Sequence, residues 1–169
     1  MKKGVTLIEL IIVVVLFVIL VGFIMQGFLV GLKNWGSGIN RAQIRQDANL
    51  GMNWMVRELG QASSITTAAA DEIEVAVDLD DDGTDETVNF AVSSNQLMRT
   101  VDSTATILSA NVATFTLAYR DLDDNPMSLP ADTSSQGKRD DIRVVIITLA
   151  MNNVDESLTL SSSVYVRNQ

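Results

Sequence analysis

The chain contains no cysteine and no histidine. Without cysteine there is no disulfide framework, no thiolate zinc site and no cysteine nucleophile. Without histidine the usual general base near neutral pH is missing, as is the commonest imidazole metal ligand. Basic residues are scarce as well, with 12 Lys and Arg against 21 Asp and Glu, for a formal net charge of −9. Such a surface repels phosphate backbones, and no basic stripe with interleaved aromatics offsets it, so nucleic acid is not an expected partner. No serine stands in a recognisable nucleophile setting, and no acid pair lies in a glycine-rich or aromatic cleft motif. The expectation is a protein that is not an enzyme.

What is present is divided unevenly. The 169 residues allow one modest globular domain plus an extension. Hydrophobic residues make up 47%, and much of that is crowded into the first thirty-two positions. From Leu10 to Met25 every residue is apolar except Gly22, and a weaker run continues through Gln26, Gly27 and Gly31 to Leu32. At a helical rise of about 1.5 Å per residue, Leu10 to Leu32 reaches about 34 Å, enough to cross a bilayer core. Lys2 and Lys3 precede the run, which predicts a cytoplasmic N-terminus and a C-terminal body on the far side. A secretory signal would end in a small-residue cleavage site, and Val21-Gly22-Phe23-Ile24-Met25-Gln26 supplies none. An ordinary single-pass anchor leaves Glu9 unexplained, because a carboxylate at the edge of an apolar helix is costly and usually has a partner.

The opening Lys3-Gly4-Val5-Thr6-Leu7-Ile8-Glu9 resembles the prepilin peptidase site of type IV pilins and type II secretion pseudopilins. In that family a short basic leader ends in Gly, the peptidase cuts after it, the new N-terminus is N-methylated, and a Glu stands at the fifth mature position. The resemblance implies cleavage between Gly4 and Val5, a modified amine on Val5, and an assembly role for Glu9. Val5 stands where the family usually has Phe or Met. A positive Val5 amine and a negative Glu9 are each expensive in lipid, and pairing relieves both. The family places that pairing between a joining subunit's Glu9 and a neighbour's amine. The implied partners are other pilin or pseudopilin subunits, the prepilin peptidase and the bacterial inner membrane. The implied end point is a cell-surface or periplasmic filament.

Beyond the membrane, Lys33-Asn34-Trp35-Gly36-Ser37-Gly38 are weak helix formers, and a bend or frayed stretch is expected there. The glycines at 22, 27, 31, 36 and 38 let the helix extend or kink on packing, or are simply tolerated in a membrane helix. Between Ile39 and Ala62 the pattern turns amphipathic, with Ala48, Met52, Met55, Val56, Leu59 and Ala62 predicted to face a core. Gly60 and Ser63-Ser64 mark the exit.

The remainder reads as strands over 73–77, 87–92, 96–101, 112–119, 142–151 and 157–166, with turns between them. Short strands in succession imply antiparallel pairing, so the predicted fold class is α+β. The family resemblance implies the same arrangement, a long N-terminal helix laid on an antiparallel sheet. The body is most similar to minor pilins of the PilW type and pseudopilins of the GspJ type, on Tyr119–Pro126, Asp140–Ile146 and Val164–Asn168. The expected organisation is a leader at 1–4, a transmembrane and assembly helix at 5–32, its amphipathic second half at 33–62, and a β domain at 63–169. Two functions share this chemistry: a minor pilus subunit, and a pseudopilus tip component that promotes exoprotein secretion.

One motif in the body has metal-binding character. Asp78-Leu79-Asp80-Asp81-Asp82-Gly83-Thr84-Asp85-Glu86 puts Asp78, Asp80 and Asp82 on alternate positions before a glycine. Calcium suits such a cluster of hard oxygens, with Asp85 or Glu86 closing the loop. An EF-hand would place a bidentate Glu at the twelfth position, which is Asn89 here, and flanking strands replace its helices. The competing reading is a solvated Asp-Gly hairpin. The Asp121-Asp123-Asp124 segment reads as a loop.

Overall fold

The computed structural model describes residues 6–130, 133–153 and 156–167. The expected leader at 1–4 and the Gly4–Val5 junction lie outside the described residues. So do Val154 and Asp155 of the expected last turn. The chain divides into two units at Asn40/Arg41.

Helix α1 runs from Leu7 to Gln61. Its first turn has the Thr-x-x-Glu pattern of a capping box: Glu9 N–H donates to Thr6 Oγ1 at 3.3 Å, and Leu10 N–H to the Thr6 carbonyl at 3.2 Å. From Leu7 to Leu32 every side chain is exposed, so this apolar surface finds no partner within its own unit. It is the one helix among the described residues long and apolar enough to cross a membrane.

The helix does not fray at 33–38 as expected; helical structure continues through this stretch. Gly costs about 1 kcal/mol in a helix, a penalty that long helical flanks on both sides absorb. Ser37 Oγ also bonds back to the carbonyls of Lys33 and Asn34, at 3.3 and 3.1 Å. A Cβ at Gly22, Gly27, Gly31, Gly36 or Gly38 would meet nothing within 4 Å.

Among the described residues, eight strands follow in two antiparallel sheets rather than a single one. The first sheet is a meander of β1 (Ser64–Ala68), β2 (Glu72–Val77), β3 (Glu86–Ser93), β4 (Gln96–Val101) and β5 (Thr104–Ser109). The second contains β6 (Val112–Arg120), β7 (Val144–Asn153) and β8 (Glu156–Tyr165), with the short α2 (Gln136–Arg139) before β7. Two tight turns have both central residues at positive φ, Ser94-Asn95 and Asp102-Ser103, as the right-handed twist of hairpins demands. Neither β1 nor β5 was expected. Both are short strands at a sheet margin.

Alternation along the strands sends Ile73, Val75, Val77, Val88, Phe90, Leu97, Phe115, Leu117, Val145, Ile147 and Leu149 to one core. The second half of α1 contributes Ile44, Ala48, Met52, Met55 and Leu59 to that core, while Val56 is half-buried. Fully burying a side chain the size of Met55 or Leu59 stabilises by about 1.5–3 kcal/mol. Gly51 lets the helix come close to the first sheet: a Cβ there would lie 2.9 Å from Leu97 Cδ2. On the other side, Gly60 approaches Val164 of β8. The helix is thus seated against both sheets.

Glu58 is also wholly buried on this face. Arg99 of β4 donates from Nε to both of its carboxylate oxygens, at 2.9 and 2.8 Å, and Nη2 lies 2.7 Å from Oε1. The Arg99 guanidinium also stands over the Trp54 ring at 5.1 Å, and Arg57 approaches the same ring at 5.3 Å. Glu58→Ala strands the Arg99 charge and is expected to lower stability by about 3–5 kcal/mol in chemical denaturation. Glu58→Met combined with Arg99→Met should lose far less. A single variant as stable as the parent would refute the assignment.

Candidate functional site

The acidic turn between β2 and β3 is held by its own backbone. Asp78 accepts Asp82 N–H at 3.2 Å through Oδ1 and Gly83 N–H at 2.9 Å through Oδ2. Asp82 N–H is also 3.3 Å from Asp80 Oδ1, and Asp82 Oδ1 accepts Thr84 N–H at 2.7 Å. Across the mouth of the turn, Glu86 Oε2 accepts Leu79 N–H at 2.8 Å. Gly83 sits at φ 86°, the left-handed conformation that favours glycine, and Asp81 at 61°.

Three of the five expected ligands converge. Asp78, Asp80 and Glu86 each bring an oxygen within 4.8 Å of the others, with Asp78 and Glu86 half-buried and Asp80 exposed. Asp82 is spent on the turn itself. Asp85 points away, accepting Ser63 Oγ at 2.5 Å just beyond the end of α1. Three hard carboxylates fit calcium in kind. Backbone donors nonetheless occupy both oxygens of Asp78 and one each of Asp80 and Glu86, so the turn also closes without a cation.

A second acidic surface, which the sequence did not signal, lies on the outer face of the first sheet. Glu72, Glu74, Thr87, Asn89, Thr100 and Asp102 line a depression of about 590 Å³. Its carboxylates have lateral partners: Asn89 Nδ2 donates to Glu72 at 2.6 Å and Thr66 Oγ1 to Glu74 at 2.8 Å. Alternation puts these residues opposite the core face. The 121–125 segment is a loop, as expected, closed on Asp121, which accepts Asp123 N–H, Asn125 N–H and Asn125 Nδ2. The Asn125 side-chain and backbone donors hold the Asp121 carboxyl below its ordinary range. Nearby, Tyr119 donates to the Ala69 carbonyl at 2.7 Å, and burial, with Asp71 close by, pushes its hydroxyl pKa far up.

In the helical unit, Glu9 is exposed in the first turn of α1, where the positive end of the helix dipole favours an acid. The capping pattern was visible in Thr6-Leu7-Ile8-Glu9 before the apolar run, so Thr6 is a residue that reading by spacing alone could have found. Comparison of the chain with protein-family models and with curated proteins gives no match.

Three measurements probe these turns. Asp78→Ala should cost about 1 kcal/mol through the loss of two backbone donors' acceptor, with or without calcium. Bound calcium should in addition raise the melting temperature of the parent and not that of Asp80→Asn. An unchanged parent melting temperature in millimolar calcium makes the turn a closed hairpin only. In an NMR pH titration, Asp121 should lose its proton below the range of an ordinary Asp, and Asn125→Ala should bring it back up. With the folded pKa depressed, the turn's contribution is present at neutral pH and is lost as acid protonates Asp121. No upward movement in Asn125→Ala would contradict that origin.

Proposed function

We propose that this chain is a structural subunit of a type IV pilus or of a related secretion pseudopilus. The prepilin peptidase matures it by cutting between Gly4 and Val5, and the new Val5 amine is N-methylated. The observation that carries this reading is an acid, Glu9, at the head of an apolar helix whose side chains from Leu7 to Leu32 all lack partners within their unit. Such a surface requires lipid or other helices around it. A filament core of bundled helices supplies both in turn: lipid before assembly, neighbours after it. Glu9 then meets the positive chain end of an adjoining subunit, and each charge relieves the desolvation of the other.

The folded body supports the reading in a second way. An α+β domain whose helix is seated on antiparallel sheets can be carried outside the cytoplasm on a single anchor. The Lys2-Lys3 leader sets that orientation.

Mass spectrometry of the membrane-purified protein should find an N-terminus at Val5 carrying one methyl group. Glu9→Ala should be cleaved normally and fail to enter filaments. Glu9→Gln separates assembly from helix capping, because Gln also completes a capping box yet carries no charge. It should be cleaved, remain folded and be excluded from filaments as Glu9→Ala is. A protein that keeps its lysines, or a Glu9→Gln variant that assembles normally, would overturn the proposal.

A further inference from the structure

Among the described residues, four strands stand at sheet margins, and three of them are blunted. β1 has only five residues, a register shift between Ile65 and Thr67, and side chains of α2 against it: Gln136 Nε2 and Arg139 Nε both donate to the Ile65 carbonyl. β5 has six residues, and its pairing is broken by a shift at Leu97/Met98. β6 carries a shift between Val112 and Thr114, and Leu117 N–H on it is taken by the Ala70 carbonyl at 2.7 Å. Bulges, short length and covering groups are the usual means of keeping an edge from pairing with another chain.

β8 is neither short nor bulged, and among the described residues the one side chain set against it is Arg41 of α1, which pairs with Glu156 at its first residue. It pairs with β7 over ten consecutive residues without a shift. After Glu156 it reads Ser-Leu-Thr-Leu-Ser-Ser-Ser-Val-Tyr, with no charge, proline or glycine. Among the described residues no backbone bond reaches the outer edge of Glu156–Tyr165. Its solvent face is a row of Ser157, Thr159, Ser161, Ser163 and Tyr165, all exposed.

We propose that two copies of this chain join edge to edge through antiparallel pairing of β8 with β8. The row is complementary to itself. With Ser161 opposite Ser161, Thr159 faces Ser163 and Ser157 faces Tyr165, so hydroxyls meet hydroxyls across the pair. The same register brings the Glu156 end of each strand, where Glu156 is held by Arg41 of its own chain, beside the Arg167 end of the other. The second sheet becomes continuous across the two copies, and a two-fold axis at Ser161 closes the assembly at two. This pairing does not depend on the filament reading.

The chain has no cysteine, so Ser161→Cys introduces a single thiol at the axis. Paired strands hold opposed Cβ atoms about 4.5–5.5 Å apart, within a small adjustment of disulfide geometry. On mild oxidation of the full-length protein in detergent, Ser161→Cys should form a disulfide dimer. Thr106→Cys on the exposed part of β5 should stay largely uncrosslinked. Sedimentation equilibrium should give the parent twice the single-chain mass. Ser161→Lys, which sets two like charges face to face, should give the single-chain mass with an unchanged circular dichroism spectrum. A parent that is a single chain throughout, equal crosslinking at 161 and 106, or a folded Ser161→Lys that stays dimeric through its helices would overturn the proposal. If Ser161→Lys fails to fold, the crosslinking comparison decides alone.

Discussion

One charge inside the core sets the position of everything around it. Glu58 has no access to water, so its carboxylate must find the Arg99 guanidinium or remain uncompensated. That requirement fixes how the second half of α1 is rotated and how far along β4 it sits. Trp54, one turn earlier, lies beneath the same guanidinium. Gly51, two turns earlier, is where the helix passes Leu97 with no room for a Cβ. A slip of one turn would bring a residue with a side chain against Leu97 and leave the acid among apolar neighbours. Apolar surface alone would accept several registers; the ion pair and the missing Cβ together accept one.

The many other acids are managed differently. Asp78, Asp80, Asp82 and Glu86 of the 78–86 turn are capped by backbone N–H groups from the same few residues, and Glu74 and Glu72 on the outer face of the first sheet by Thr66 and Asn89. Asp121 repeats the device one sheet away. A surface with this excess of negative charge stays ordered because local donors, rather than distant cations, hold most of these carboxylates. Arg99 and Arg41 are the exceptions, reaching Glu58 and Glu156 from distant parts of the chain.

Much of this was legible in order. The 3.6-residue recurrence of Ala48, Met52, Met55 and Leu59 announced the seated face of the helix, and period-two alternation announced β2 and β3. The misses have physical reasons. Glu58 reads as a solvated charge until its partner, forty-one residues on, is in place. Ser64–Ala68 is too short, and too close to the helix exit, to stand out as a strand, and Thr104–Ser109 is mostly exposed and so lacks an apolar rhythm. In the acidic turn, composition marked the right segment but could not say which oxygens converge. Asp85 is drawn away by Ser63, a contact created by tertiary structure and invisible to spacing. The helix cap at Thr6 was available in the sequence and needed only the Thr-x-x-Glu rule.

Within both sheets every strand pairs with its immediate neighbours in the chain. The two-residue turns at Ser94-Asn95 and Asp102-Ser103 keep those closures short. Apart from the long connection over 121–143 between β6 and β7, a topology of this kind incurs little loop-closure entropy at each step, which favours rapid, sequential folding. Each hairpin can form as soon as its second strand exists, starting from the end nearest the helix. The distant contacts, Arg99 to Glu58 and Val164 toward Gly60, are then made by sheets already assembled. The order of strands along the chain is therefore also a timetable for its folding.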